Sequence, residues 1–101
     1  MTHITYVKKI LADGSPCKKC RDVSDRLESD GLLGLIDQIA IADERDADSQ
    51  GMLLAQKYQV ARAPFFLVED NSGAVRIYDV YFKFKKEVAD TKFKKEIIDS
   101  L

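Results

Sequence analysis

The sequence predicts an α/β fold whose elements follow one another in the order β-α-β-α-β-β-α. Stretches rich in β-branched and apolar residues alternate with stretches whose apolar residues recur every three or four positions. A strand, a helix and a second strand imply a right-handed crossover, and hence a parallel pair of strands. A later turn sequence predicts a hairpin, which adds two antiparallel strands. The predicted sheet is therefore mixed, and helices must cover both of its faces.

Length and composition restrict the class of protein. The 101 residues suit a single domain, residues 1–101, with one hydrophobic core. With 46% hydrophobic and 33% charged residues, the chain has the balance of an ordinary folded domain. The net charge of −1 creates no field that would recruit nucleic acid or an anionic membrane, so neither is expected as a partner.

The start of the chain and the length of its apolar runs predict the cellular compartment of the protein. Residues 1–4 show neither the basic start nor the long apolar run of a signal peptide. No apolar run approaches the roughly 20 residues of a membrane span. We therefore expect a cytoplasmic protein. In that reducing compartment a CxxC pair is more often catalytic, redox-sensing or metal-binding than structural.

The first predicted strand and helix meet at a cluster of turn residues. Residues 4–12 are rich in β-branched and apolar types, which favour a strand. Residues 13–16 (Asp-Gly-Ser-Pro) predict a turn, and its proline suits the start of a helix. Gly31 is expected to end that helix. Between the turn and Gly31, four positions recur at helical spacing: Cys20, Val23, Ser24 and Leu27.

The middle of the chain predicts a second strand, a second helix and a third strand. Residues 35–42 have the nearly continuous apolar end that is typical of a buried parallel strand. The charged connector 43–48 places acidic residues where a helix N-terminus favours them. Residues 47–58 predict the helix, residues 59–63 a loop, and residues 65–68 a short buried strand.

The last part of the chain predicts a hairpin and a final helix. Residues 70–73 have the composition of a hairpin turn. A fourth strand is predicted from residue 74 to about residue 84, with one face formed by Val80, Phe82 and Phe84. The alternative that residues 81–88 already begin the last helix stays open. Asp90 or Thr91 is expected to cap that helix, whose apolar face carries Phe93, Ile97 and Leu101.

The segment Cys17-Lys18-Lys19-Cys20 contains both cysteines of the chain and is the candidate for chemistry. A helix that starts at Cys17 places both sulfurs on one turn, and its free N–H groups stabilise a thiolate. Lys18 and Lys19 add positive charge, so the motif predicts a reactive dithiol. The alternatives are an incidental or structural pair and a metal site. A zinc ion needs about four ligands, and the only histidine is His3, whereas a metal or iron–sulfur cluster could be shared between two subunits.

The chain resembles the thioredoxin-fold family over nearly its whole length. One similarity is the opening of a strand, a turn, a CxxC motif and a helix. Another is residues 57–68, Lys-Tyr-Gln-Val-Ala-Arg-Ala-Pro-Phe-Phe-Leu-Val, which look like the thioredoxin segment where a loop delivers a cis-proline to a strand. Gly73 and residues 93–98 are also thioredoxin-like. The resemblance implies a mixed four-stranded sheet of order 2-1-3-4, flanked by three helices, in the compact form that glutaredoxins have.

The same resemblance implies a thiol–disulfide oxidoreductase that needs no cofactor. Cys17 would be the exposed nucleophile and Cys20 the shielded thiol that resolves the mixed disulfide. Pro64 is expected to be a cis-proline that faces the disulfide, and the backbone of Ala63 would pair with a substrate strand. The expected partners are a disulfide-containing protein or a small-molecule thiol, and a reductase, with the chain itself a monomer. Positive charge toward substrate is expected from Lys18, Lys19 and Arg62.

Two departures from the family, the missing aspartate before the motif and the unusual pair of lysines inside it, favour a rival interpretation. Thioredoxins hold a buried aspartate in the strand before the motif, and counting back from Cys17 places Leu11 at that position. Asp13 lies nearer the turn and is expected to be exposed. Residues 80–83 also lack the glycine pair of glutaredoxins, so glutathione binding is not implied. The rival interpretation is a binding or assembly protein that keeps the fold and lacks turnover.

Overall fold

A computed structural model describes residues 2–89 of the chain as an α/β fold. Its mixed, open, four-stranded sheet has the order β2-β1-β3-β4, which confirms the predicted order 2-1-3-4. Three α-helices accompany the sheet within these residues, together with a 3-10 turn at Leu33–Leu35 and a π-helical turn at Lys85–Ala89. The strands and helices are β1 (His3–Ile10), α1 (Lys18–Ser29), β2 (Gln38–Asp43), α2 (Gln50–Lys57), β3 (Phe65–Glu69), β4 (Val75–Tyr78) and α3 (Tyr81–Phe84).

The register of the strands determines which segments meet at each end of the sheet. β1 runs parallel to β2, with Ile10 opposite Asp43. It runs antiparallel to β3, with Val7 opposite Phe65, and β3 runs antiparallel to β4. Consequently the end of β1, the end of β2 and the start of β3 lie at the same end of the sheet. The candidate residues follow or precede these strands at that end.

Each face of the sheet carries its own hydrophobic cluster. On one face, side chains of β1 and β3 pack against Leu27 of α1 and Phe84 of α3. Phe66 stacks there between Tyr6 and Phe84, with ring centroids 4.9 and 3.9 Å away. The opposite face packs against α2 through Val7, Ala40, Ala42, Phe65 and Leu67. Fully burying one such large apolar side chain stabilises the fold by about 1.5–3 kcal/mol.

α2 lies very close to β2 because residue 51 is a glycine. Gly51 is buried, and a Cβ atom built on it would overlap the backbone of Ile41 and Ala42. The end of α1 also depends on a glycine, as the sequence predicted. Gly31 follows the C-cap Asp30 with a φ of 71°, a conformation that glycine adopts without steric cost.

The structure corrects two predicted strands. The second strand begins at Gln38 rather than at residue 35, because Leu33–Leu35 form a 3-10 turn that buries Leu35 in the core. The fourth strand ends at Tyr78 rather than near residue 84. The chain turns helical at Tyr81, so the open alternative of an early helix is confirmed for Tyr81–Phe84.

The reason for the second correction is the spacing of the buried aromatic residues. Tyr81 and Phe84 are buried and lie three positions apart, which suits one face of a helix. Val80 and Phe82 are 48% and 66% exposed, so they do not share a buried face with Phe84. The hydroxyl of Tyr81 also donates a 2.6 Å hydrogen bond to Asp30, which ties α3 to the end of α1. The helix predicted from Asp90 or Thr91 lies outside the described residues.

In the part of the chain that the structure describes, no helix has both the length and the apolar character needed to cross a membrane.

Candidate active site

A tight turn connects β1 to the cysteine motif. The carboxylate of Asp13 accepts hydrogen bonds of 2.9 and 2.6 Å from the backbone N–H and the hydroxyl of Ser15. Gly14 occupies the turn with a φ of 85°, and its N–H donates to the carbonyl of Leu11. Asp13 is exposed, as the sequence predicted. The turn reverses the chain so that the residues after it return to the end of β1.

Cys17 is held at the start of α1 by the end of β1. Pro16 forms an isolated antiparallel bridge with Ile10, and the N–H of Cys17 donates to the carbonyl of Lys9 at 3.3 Å. Cys17 is the N-cap residue of α1, and its carbonyl accepts the first helical hydrogen bond, from Arg21, at 3.0 Å. Its side chain is partly exposed and its thiol is free. The nucleophile predicted from the sequence is therefore accessible from solvent.

Cys20 lies one helical turn later and is almost fully buried. Its free thiol is 2% exposed. The backbone N–H of Lys9 donates to its sulfur over 3.3 Å. Its carbonyl accepts a 3.0 Å hydrogen bond from the hydroxyl of Tyr6, a residue of the core. Cys20 is therefore anchored to β1 on both its main chain and its side chain.

The surroundings of Cys17 favour its thiolate. Partial burial alone would raise the pKa of this thiol, but four other groups outweigh that effect and lower the pKa below its ordinary value. These groups are the backbone amide of Cys20, the thiol of Cys20, the backbone amide of Lys19 and the positive charge of Lys9. The two amides belong to the first turn of α1, where N–H groups have no partner within the helix.

Cys20 has the opposite acidity. The pKa of its thiol is raised to about 11, mainly by burial. The hydrogen bond to Cys17 and the charge on Cys17 also raise this pKa, whereas the Lys9 amide and the charge of Lys8 lower it. The two thiols are thus chemically unequal, although they are only three residues apart. At neutral pH one of them is the better thiolate and the other remains protonated.

An ion pair at this site could not be read from the cysteine motif. The ammonium group of Lys9 lies 2.7 Å from a carboxylate oxygen of Glu44, and the two side chains are 32% and 31% exposed. Glu44 comes directly after β2, whose end lies beside the end of β1. The parallel pairing of β1 and β2 is the feature that predicts this ion pair. It brings the acidic connector after β2 next to the last residues of β1.

Ala63 and Pro64 lie at the same end of the sheet as the cysteines. The Ala63–Pro64 peptide bond is cis, as the sequence predicted. Phe65, the next residue, is opposite Val7. The Ala63–Pro64 peptide therefore lies beside the last residues of β1, which lead to Cys17. Pro64 is buried and Ala63 is partly exposed. The topology therefore groups the predicted substrate-binding peptide with the cysteine motif.

The predicted basic residues are all exposed. Lys18 and Lys19 lie on the surface of the first turn of α1. The lysine side chain that lowers the pKa of Cys17 is instead that of Lys9, from β1. Arg62 is also exposed and lines a groove of about 360 Å³ between the loop before β3 and the residues around the end of β4.

Two residues considered for other roles do not join the site. His3 begins β1, whereas Cys17 follows its end, so roughly 25 Å of extended strand separates them. Zinc binding by His3 with both cysteines of one chain is therefore excluded by distance. Leu11 is apolar and partly exposed, and the carboxylate of Asp13 accepts a hydrogen bond from Ser15. Neither residue therefore supplies an acid behind the cysteines.

Comparisons with family models, curated proteins and solved structures gave no match.

Proposed function

We propose that this chain is a thiol–disulfide oxidoreductase with a thioredoxin fold. The observation that carries the proposal is the inequality of the two thiols at the start of α1. Cys17 is partly exposed and its pKa is lowered, whereas Cys20 is 2% exposed and its pKa is about 11. A nucleophilic thiol must reach its substrate as a thiolate, and a resolving thiol must stay protonated until the mixed disulfide has formed.

The proposed reaction consists of two exchange steps. The Cys17 thiolate attacks one sulfur of a substrate disulfide, that S–S bond breaks, and the other substrate sulfur leaves as a thiolate that takes a proton from solvent. Cys20 then loses its proton and attacks the sulfur of Cys17, which releases the second substrate thiolate. The substrate is reduced by two electrons and the motif is oxidised to a disulfide.

The turnover of such a site requires a partner that reduces it again. We assign that role to a dithiol reductase, acting in a reducing cytoplasm on a monomeric protein. The substrate is a protein disulfide or a small-molecule disulfide. For a protein substrate, the backbone of Ala63 beside Pro64 offers hydrogen-bonding groups to an extended chain. The exposed positive charges favour acidic partner surfaces, and they belong to Lys18, Lys19 and Arg62.

Serine variants of the two cysteines test this mechanism. Cys17→Ser should abolish reduction of a model protein disulfide by the chain and a reductant, because no nucleophile remains. Cys20→Ser should keep the first step and accumulate a covalent adduct with the substrate, because the resolving thiol is missing. Mass spectrometry of the intact protein measures the adduct, and a thiol reagent should remove it. Full activity of the Cys17→Ser variant would contradict the proposed mechanism.

A binding or assembly protein of the same fold is the second candidate. This candidate is favoured because neither Leu11 nor Asp13 supplies an acid behind the cysteines. Leu11 is apolar, and the carboxylate of Asp13 accepts a hydrogen bond from Ser15. Such a protein should bind its partner equally well when both cysteines are replaced by serine. An oxidoreductase should lose the covalent part of that association, so pull-down of one identified partner with and without the double substitution separates the two functions.

A further inference from the structure

The ion pair between Lys9 and Glu44 lies beside the cysteine motif and takes no part in the two proposed exchange steps. Lys9 is the penultimate residue of β1, and its backbone contacts both cysteines. Its carbonyl accepts from the N–H of Cys17 at 3.3 Å, and its N–H donates to the sulfur of Cys20 at 3.3 Å. These two hydrogen bonds hold the backbone of Lys9 beside both cysteines.

Glu44 is fixed in a similar way. Its backbone N–H donates a 2.9 Å hydrogen bond to the carbonyl of Ile10, the residue after Lys9. Its carboxylate oxygen lies 2.7 Å from the ammonium nitrogen of Lys9. The parallel pairing of β1 and β2 therefore places the backbone of Glu44 beside that of Lys9, within reach of an ion pair between their side chains.

We propose that Lys9 stabilises the Cys17 thiolate through its charge, and that Glu44 is a positioning residue that holds and partly neutralises this charge. The inference rests on the proposed function, since it concerns how reactive the attacking thiol is. It assigns the control of that reactivity to a pair on β1 and after β2, and not to the two lysines inside the motif.

Electrostatics at the site agrees with this assignment. Lys9 is the charged side chain that lowers the pKa of Cys17, and the hydrogen bond to Glu44 is the main cause that raises the pKa of Lys9. Lys8, the neighbouring lysine on β1, acts on Cys20 instead. The phenol of Tyr6 also interacts with both cysteines, but burial raises its pKa to about 12, so it is neutral when Cys17 ionises.

The role of Glu44 follows from the charges. The carboxylate repels the thiolate directly, and the ion pair also holds the Lys9 ammonium group beside Glu44. Removing the carboxylate charge should therefore make Cys17 more acidic, and more so while Lys9 is present, because the released ammonium group is then free to approach the thiolate. The difference between the shifts measured with and without Lys9 isolates the part that acts through the position of Lys9, because direct charge effects are additive.

The test is the pH profile of Cys17 alkylation by iodoacetamide in the full chain, measured by mass spectrometry. Lys9→Met should raise the midpoint by about half a pH unit, equivalent to roughly threefold less thiolate at neutral pH. Lys9→Arg should keep the midpoint, because it keeps the charge. Lys8→Met is the matched control, since it removes the same charge from the adjacent residue, and it should leave the midpoint unchanged.

Glu44→Gln should lower the midpoint more in the natural background than in the Lys9→Met background. The assignment is overturned if Lys9→Met does not move the midpoint, if Lys8→Met moves it as far, or if Glu44→Gln acts equally with and without Lys9. The midpoint does not depend on turnover, so these results are distinct from a failure of the proposed function, which the serine variants detect. Lys9→Gln removes the same charge and replaces Lys9→Met in both comparisons if Lys9→Met does not fold.

Discussion

At the scale of single residues, the proposed function depends on the different burial and acidity of two nearby thiols. The spacing of Cys17 and Cys20 in the sequence was enough to predict a dithiol on one helical turn. It could not predict which neighbours set their acidity. The Lys9 amide that donates to Cys20, and the pairing of Lys9 with Glu44, depend on strand register, which joins residues far apart in the sequence.

Selective alkylation is the prediction that belongs to this scale. Between about pH 7 and pH 9, iodoacetamide should modify Cys17 and spare Cys20, because the pKa of Cys20 is about 11 and the residue is 2% exposed. Labelling of Cys20 should appear only as the pH rises toward that value. Peptide mapping after brief labelling measures both sites. Equal labelling of the two cysteines in the folded chain at pH 7 would contradict the proposed inequality.

At the scale of elements, the main difference between expectation and structure is where the fourth strand ends. Alternation of apolar residues suggested a strand through residue 84, because Val80, Phe82 and Phe84 are two positions apart. Tyr81 and Phe84 are equally compatible with a helix, and short apolar segments leave the two periods ambiguous. Stacking of Phe84 on Phe66, at 3.9 Å between ring centroids, resolves the ambiguity through a tertiary contact.

Alanine substitution of two phenylalanines tests the helical assignment. Phe84→Ala should lower the free energy of unfolding by about 3–5 kcal/mol, since it removes a fully buried ring from the core. Phe82→Ala is the matched control and should cost less than about 1 kcal/mol, because its ring is 66% exposed. Urea unfolding followed by circular dichroism measures both values. Equal losses would instead support the strand, in which both rings share one face.

At the scale of the whole molecule, topology assembles the site from three separate segments. The end of β1 leads to the cysteine motif, the start of β3 follows the cis Ala63–Pro64 peptide, and the end of β2 delivers Glu44. The sequence predicted the order of the elements, because apolar periodicity and turn residues are local signals. It predicted the cysteines and Pro64 through motifs, whereas Lys9 and Glu44 carry no motif and are recognised only when the sheet is formed.

The central claim is that Cys17 and Cys20 form a redox couple, and the most direct test is its equilibrium with a thiol buffer. The chain is equilibrated across a series of dithiothreitol or glutathione redox buffers, and the reduced fraction is measured after acid quenching and alkylation. We expect a reversible two-electron transition between roughly −120 and −270 mV. The Cys17→Ser and Cys20→Ser variants should lack this transition. Two thiols that stay reduced across the whole range, or that oxidise only between molecules, would contradict it.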